Sequence, residues 1–237
     1  MWQNKLKAVT FSFDDGVLQD QRLIEILDNY GLKATFNLNS ALLGCKSDKL
    51  SVFGDFLYHQ DRFSPSQIKK VYANHEVAGH TLMHQNLTDL EDSAVIYQVE
   101  QDRKLLSEIV GYEVVGFAYP AGGVNHDQRV ADLIKNNTGV KYARTNRCTR
   151  DFNFNQNNLH LFNPTVPVYD YDEITRFAKE FIDLKANTPK LFYVLGHAFE
   201  LDEGSNITWE KFEKFCKLIS GKSDIFYATN KEILLDK

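Results

Sequence analysis

The sequence predicts an α/β fold, an irregular (β/α) barrel of about seven strand–helix units. Short apolar segments alternate with helical ones along the chain, a pattern that needs parallel strands joined by helical crossovers. No linker, low-complexity segment or charge block divides the 237 residues, so 1–237 reads as a single domain, close in length to the roughly 250 residues of a typical barrel. Residues with chemical potential recur just past the apolar segments, where parallel α/β folds gather functional groups. Irregularity is expected because the units differ in length and two long loops interrupt them.

The first strand is Ala8-Val9-Thr10-Phe11-Ser12-Phe13, rich in β-branched and aromatic residues. Residues 20–30 carry Leu23, Ile24 and Leu27 at helical spacing, with Gly31 as C-cap. Residues 33–39 read as the next strand. Ser64-Pro65 opens a helix, Ser at the N-cap and Pro at the first position, with Ile68, Val71 and Tyr72 as its apolar face. Residues 76–79 form a short strand leading to His80. A long amphipathic helix over 90–110 closes at Gly111, and 114–119 is the following strand. Helix 126–136 with strand 140–145 repeats the unit, as does helix 172–184 with the all-apolar strand 191–195. Thr208 caps a helix running to Ile219, and 225–228 is the last strand. The connections 40–63 and 146–171 exceed ordinary barrel loops, so they are expected to be functional or disordered. Phe53, Phe56 and Tyr58 in one, and Phe152, Phe154, Phe162 and Tyr169 in the other, read equally as pins under a loop or as a substrate wall.

Composition narrows the function classes. A 43% hydrophobic fraction can fill a substantial core, and 25% charged residues is ordinary for a soluble protein. The net charge of -5 and the absence of any Lys/Arg run give no case for nucleic acid or an anionic membrane as partner. Cys45, Cys148 and Cys216 are widely spaced and form no CxxC pair, which fits small, buried, reduced side chains. Met1-Trp2-Gln3-Asn4-Lys5 leads almost directly into the first strand, so no signal peptide or anchor is read and the expected location is cytoplasmic. A chain trimmed of its leader would read the same. No protein partner is predicted.

Ser12-Phe13-Asp14-Asp15-Gly16 ends the first strand on two adjacent carboxylates. Burying such a pair costs free energy unless it is paired or holds a cation. Taken alone, it reads as well as an Asp-Gly turn with one Asp capping the next helix. His80-Thr81-Leu82-Met83-His84 adds two imidazoles that a helical turn would bring to one face and one cation, although most such pairs are incidental. Here the pair follows a strand ending in Gly79, and parallel barrel strands share one C-terminal rim. Two His nitrogens and one carboxylate oxygen leave positions for water and substrate, as catalytic zinc requires. That donor set suits zinc and tolerates cobalt or nickel. At another strand end, Tyr119-Pro120-Ala121-Gly122-Gly123 can bring backbone close to a ligand and aim an N–H inward, or simply turn the chain. His197, just past the apolar strand, reads singly as structural but belongs to the same predicted rim.

Together these residues resemble the polysaccharide deacetylases of the NodB-homology type, carbohydrate esterase family 4. The family's first motif, T-F-D-D-G, is matched by Ser12 to Gly16 with Ser for Thr, and its second, H-[ST]-x-x-x-H, by His80, Thr81 and His84. The third, R-x-P-x-x, aligns with Ala118, Pro120 and Ala121, and the fifth, a Leu-x-x-His strand end, with Val194 through His197. The resemblance spans nearly the whole chain in the family's order. It implies a NodB-like deformed TIM barrel and a divalent metal, Zn2+ first with Co2+ or Ni2+ as alternatives, held by Asp15, His80 and His84. It also implies Asp14 as general base on the attacking water, His197 as general acid and the Ala121 backbone N–H as oxyanion donor. The chemistry agrees, since a divalent ion acidifies water and polarises an acetyl carbonyl while a nearby carboxylate completes activation. Two departures stand out. Ala118 occupies the place of the Arg that holds the catalytic Asp, and the fourth motif, an Asp near a Trp, has no clear counterpart, Asp151-Phe152 being a poor match. Arg144, or Arg147 just beyond it, could supply the missing guanidinium from the next strand.

The resemblance thus points to an acetylated carbohydrate substrate. Two rivals stay open: a metal-dependent hydrolase of C–N bonds in small amides or imides on the same fold, and a non-catalytic carbohydrate-binding protein. Intact Asp14, Asp15, His80, His84 and His197 argue against the second, because a binding module needs no such convergent set.

Overall fold

The computed structural model describes residues 2–47, 51–53, 56–154, 157–202 and 206–235, with 51–53 and 56–58 described by backbone alone. Along the chain run β1 (Lys7–Asp14), α1 (Asp20–Asn29), β2 (Ala34–Leu38), β3 (Ser51–Phe53), β4 (Phe56–Tyr58), α2 (Pro65–Val71) and β5 (Glu76–Gly79). Then follow α3 (Asp92–Val110), β6 (Gly116–Ala118), α4 (Gln128–Asn137), β7 (Tyr142–Arg144), β8 (Val166–Pro167) and α5 (Tyr171–Asp183). The chain ends with β9 (Lys190–Gly196), α6 (Trp209–Ile219), β10 (Ile225–Tyr227) and α7 (Asn230–Leu234). Helix boundaries follow local signals. Gly111 takes the left-handed conformation at the end of α3 (φ 82°), Pro65 opens α2, and the Thr208 hydroxyl accepts the Lys211 N–H at the start of α6.

The parallel sheet runs β7-β6-β5-β2-β1-β9-β8, with β10 added alongside β1. β1 divides one edge between two neighbours: Lys7, Ala8 and Val9 pair with β10, and Phe11 to Asp14 pair with β2. Its other edge pairs with β9 from Lys7 to Phe13. The ring closes through the segment before β8, where Phe162 bridges Arg144 of β7 and Val166 then pairs with β9. The barrel therefore has the expected seven-strand path but differs from expectation in one member. β8, placed in a loop by the sequence reading, takes a ring position, and the last predicted strand lies off the path. Two residues, one of them Pro, are too few to show a strand period.

β1 is buried along its whole length and sorts its side chains by alternation. Phe11 and Phe13 point outward under α6, edge-on to Phe215 and Phe212 at 6.1 Å each. Thr10, Ser12 and Asp14 belong to a polar barrel interior. At its bottom the start of α7 acts as a plug: Asn230 accepts from Thr10 Oγ1 (2.8 Å) and donates to Tyr193 OH (2.6 Å), and its N–H donates to Thr35 Oγ1 (2.9 Å). Glu76 accepts from Thr35 Oγ1, Tyr142 OH and the Lys231 N–H. Higher up, Asn37 Nδ2 and Arg144 Nε both donate to Ser12 Oγ. Such burial is tolerable because these groups find partners.

The long connections are built rather than bare. Segment 40–63 carries the antiparallel pair β3–β4, and its ends are tied by Gly44 N–H to the Phe63 carbonyl and Arg62 N–H to the Cys45 carbonyl. The side chains of Phe53, Phe56 and Tyr58 lie outside the described residues. In segment 146–171, Phe152 packs on Phe177, Phe181 and Phe192, Phe154 on Trp2, and Phe162 on Tyr193, so these three pin the loop. Tyr169 is 47% exposed. The cysteines differ from expectation: Cys216 is buried, but Cys45 is exposed and Cys148 half-buried because both sit in these segments. Among the described residues no helix is long and apolar enough to cross a membrane.

Candidate active site

The C-terminal ends of β1, β5, β6 and β9 deliver Asp14 and Asp15, His80, Ala121 and His197 to one cavity of about 440 Å³, which His84 also lines. The chain turns sharply at this rim. Asp15 (φ 79°) and Gly16 (φ 65°) are left-handed, and a Cβ on Gly16 would lie 2.6 Å from Leu38 Cδ2, so this turn requires glycine. Asp15 donates its N–H to the Asn37 carbonyl (3.0 Å), and Arg62 Nε donates to the Asp15 carbonyl (3.0 Å). Strain of this kind in a non-glycine residue persists where surrounding contacts enforce it.

Segment 80–84 is not the helical turn expected from its spacing. Thr81 (φ 67°) and His84 (φ 57°) are left-handed, and the segment is an irregular turn. The two rings still meet, edge to face with centroids 5.0 Å apart. Asp102 of α3 accepts the His80 N–H (2.9 Å) together with the N–H and hydroxyl of Ser40, and Asn39 Nδ2 donates to the Thr81 carbonyl (2.9 Å). These partners, more than helix geometry, bring the imidazoles together.

Asp15, His80 and His84 offer ligand atoms that all lie within 4.8 Å of one another. Asp15 Oδ1 is buried and accepts no hydrogen bond, an arrangement that a cation would relieve. His80 Nδ1 faces the Ala118 carbonyl at 2.8 Å, so Nδ1 carries the proton and Nε2 keeps its lone pair for a ligand. Burial pushes the His80 imidazole down to about 4, partly opposed by Asp14, which leaves it neutral near pH 7. These residues fit a divalent ion with nitrogen and carboxylate donors.

Asp14 is buried beside this set. Its Oδ1 accepts from Asn37 Nδ2 (2.7 Å) and from Arg144 Nη2, and Arg144 is itself 1% exposed. Burial alone would raise the Asp14 carboxyl, but the Arg144 guanidinium, helped by His80 and His197, holds it down at about 2. Of the two candidate guanidinium donors, Arg144 reaches Asp14, while Arg147 is exposed.

Across the cavity, His197 Nε2 stands 4.0 Å from Asp15 Oδ2. Burial would lower the His197 imidazole, but Glu200, with smaller help from Asp15 and Asp14, raises it to about 9, so it is protonated at neutral pH. Ala121 is left-handed (φ 67°), and buried Asn125 fixes its turn by donating to the carbonyls of Tyr119, Pro120 and Ala121. Asp151, the poor fourth-motif match, is exposed and hydrogen-bonded to Asn153.

Sequence reasoning passed over Arg62, Asn37, Asn39, Asp102, Asn125 and Glu200. Asn37 left a trace, a polar residue in an apolar strand and in register with Asp14. Glu200 left another, the His-x-x-Glu spacing of a capping turn. Arg62 left none, since it lies 47 residues from Asp15 at the end of a long loop.

A family model described as polysaccharide deacetylase matches residues 3–143. A search of curated proteins finds no match. Among solved structures, a family 4 carbohydrate esterase from Streptomyces lividans in complex with acetate superposes with a TM-score of 0.54 at 13% identity, covering 94% of this chain and 91% of that one. A peptidoglycan N-acetylglucosamine deacetylase gives 0.58 at 17% identity, covering 99% and 90%. A CE4 family pseudoenzyme from Bacillus anthracis gives 0.53 at 16%, covering 98% and 66%. These likenesses extend the same fold past the segment matched by the family model.

Proposed function

Because the chain belongs to the polysaccharide deacetylase family, we propose that it is a metal-dependent hydrolase removing acetyl groups from an N- or O-acetylated sugar or polysaccharide, working as one catalytic domain over 1–237. One observation carries the reading: Asp14 held by Arg144, the three metal-type donors Asp15, His80 and His84, and His197 converge on one cavity. A divalent ion held by Asp15, His80 and His84, zinc before cobalt or nickel, supplies an acidified water and a polarised acetyl carbonyl when bound. Asp14 takes the proton of the attacking water. Arg144 keeps Asp14 ionised and its rotamer fixed. The Ala121 N–H donates to the developing oxyanion, as its enforced left-handed turn allows. His197 gives its Nε2 proton to the departing amine or alcohol.

The acetate bound in the Streptomyces relative supports acetyl as the group removed. Hydrolysis of small amides or imides remains the second reading, motivated by Ala118 in the third motif. A relative that is a pseudoenzyme makes a binding protein the third. Zinc-supplemented protein assayed against acetylated glycans and small amides separates them. Metal-dependent acetate release, absent from His84→Ala, is expected. Ammonia or amide cleavage without acetate favours the second reading, and sugar binding without turnover ends both hydrolase readings.

A further inference from the structure

We propose that Glu200 is the positioning residue of the acid His197, supplied from three residues downstream in the same turn; the inference rests on the deacetylase reading above. Glu200 is 2% exposed, and both of its oxygens face His197: Oε1 lies 3.1 Å from Nδ1, and Oε2 accepts the His197 N–H at 3.1 Å. A carboxylate only accepts, so Nδ1 carries the proton and Nε2 is left to face Asp15 and the cavity. The Phe199 ring stacks on the imidazole at 4.7 Å and 25°, holding its plane. Gly196 makes room for this fold-back: a Cβ there would lie 2.7 Å from Glu200 Oε2 and 2.2 Å from Val168 Cγ1. The ring N–H and the backbone N–H give both oxygens of this buried carboxylate a donor, so its burial leaves neither without a partner. The competing role is a plain cap of the Ala198–Leu201 turn, which a neutral amide would fill equally well.

The test is Glu200→Gln in zinc-loaded protein, because the amide keeps size and capping oxygen but not charge. On an N-acetyl amine substrate, kcat should fall about tenfold or more, with KM and bound zinc unchanged. On an aryl acetate, whose leaving group needs no proton, it should fall by less than about twofold. No loss, or equal loss on both substrates, overturns the proposal. Nitrogen NMR of labelled histidine gives a readout independent of turnover. The His197 signal, assigned by its disappearance in His197→Gln, should show a protonated Nδ1 shielded from exchange in wild type and exposed in Glu200→Ala. An unchanged signal in Glu200→Ala overturns the positioning role, even if wild-type protein releases no acetate and the deacetylase reading itself fails.

Discussion

Two adjacent aspartates, Asp14 and Asp15, are distinguished here by their partners. Asp14 Oδ1 accepts from Arg144 and Asn37, whereas Asp15 Oδ1 accepts no hydrogen bond and lies 3.4 Å from His84 Nε2 and 3.9 Å from Arg62 Nη2. Asp14→Asn keeps the shape but cannot take a proton, so turnover should fall by about 10²–10⁴ while bound zinc stays near wild type. Asp15→Asn should instead lower zinc occupancy, because it removes an anionic ligand. Elemental analysis beside rate measurements checks both, and the reverse pattern would mean that base and ligand are exchanged. Arg144 answers the departure at Ala118, because a guanidinium from the neighbouring strand reaches the carboxylate that a third-motif Arg would have held. Arg144→Ala leaves a buried anion unpaired, so it should slow turnover and destabilise the fold by about 3–5 kcal/mol. Arg144→Lys should restore only part of the rate, since an ammonium cannot reproduce the fork across Asp14 and Ser12. Urea denaturation and initial rates on the two variants decide this, and full rescue by Lys would reduce Arg144 to a point charge.

Among the elements, legibility followed length and period. β1 and β9 were readable because they are long, eight and seven residues, and almost wholly buried, which leaves a clear apolar signal. β8 was not, because two residues gain strand character only from neighbours distant in sequence. The strand-end placement of Asp14, Asp15, His80 and His197 was legible once parallel strands were inferred. The turn that joins His80 to His84 was not, because Asp102 and Asn39 shape it from elsewhere in the chain. His75 shows the same dependence at the start of β5. Its Nδ1 accepts the Ala34 N–H of β2 (3.1 Å), while Nε2 faces Asp28 of α1 at 3.4 Å. Burial pushes the imidazole down from about 6.5 to about 4, with Asp28 opposing and Lys33 assisting. A lowered folded pKa means that the unfolded chain binds the proton more readily. The stability from neutral His75 is therefore present above about pH 6.5 and lost as pH falls toward 4, on the order of 1–3 kcal/mol. His75→Gln should flatten that part of the stability–pH curve in urea titrations, and a slope equal to wild type would remove His75 as its source.

At the scale of the whole molecule, the candidate cation site joins segments that lie far apart in the sequence. Asp15 follows β1, while His80 and His84 follow β5, with β2 between those strands. The unfolded chain has no such preformed donor set, so metal binding adds to folding free energy by mass action. At a free zinc concentration of 100 times its Kd, the gain should be about 2.7 kcal/mol. For a chain of this length that corresponds to a rise of roughly 5–11 °C in Tm. Cobalt should give a rise of the same sign, and magnesium almost none, because nitrogen donors suit the first and not the second. His84→Ala should abolish the rise while leaving the metal-free Tm close to wild type, since the His84 side chain is one-third exposed and packs little core. His80→Ala should abolish the rise and also lower the metal-free Tm, because that ring is buried against the Ala118 carbonyl. Calorimetry on the three proteins, each with and without metal, tests this. A zinc-induced rise that survives in both variants would locate the stabilising cation elsewhere on the molecule and leave the Asp15, His80 and His84 set without its ion.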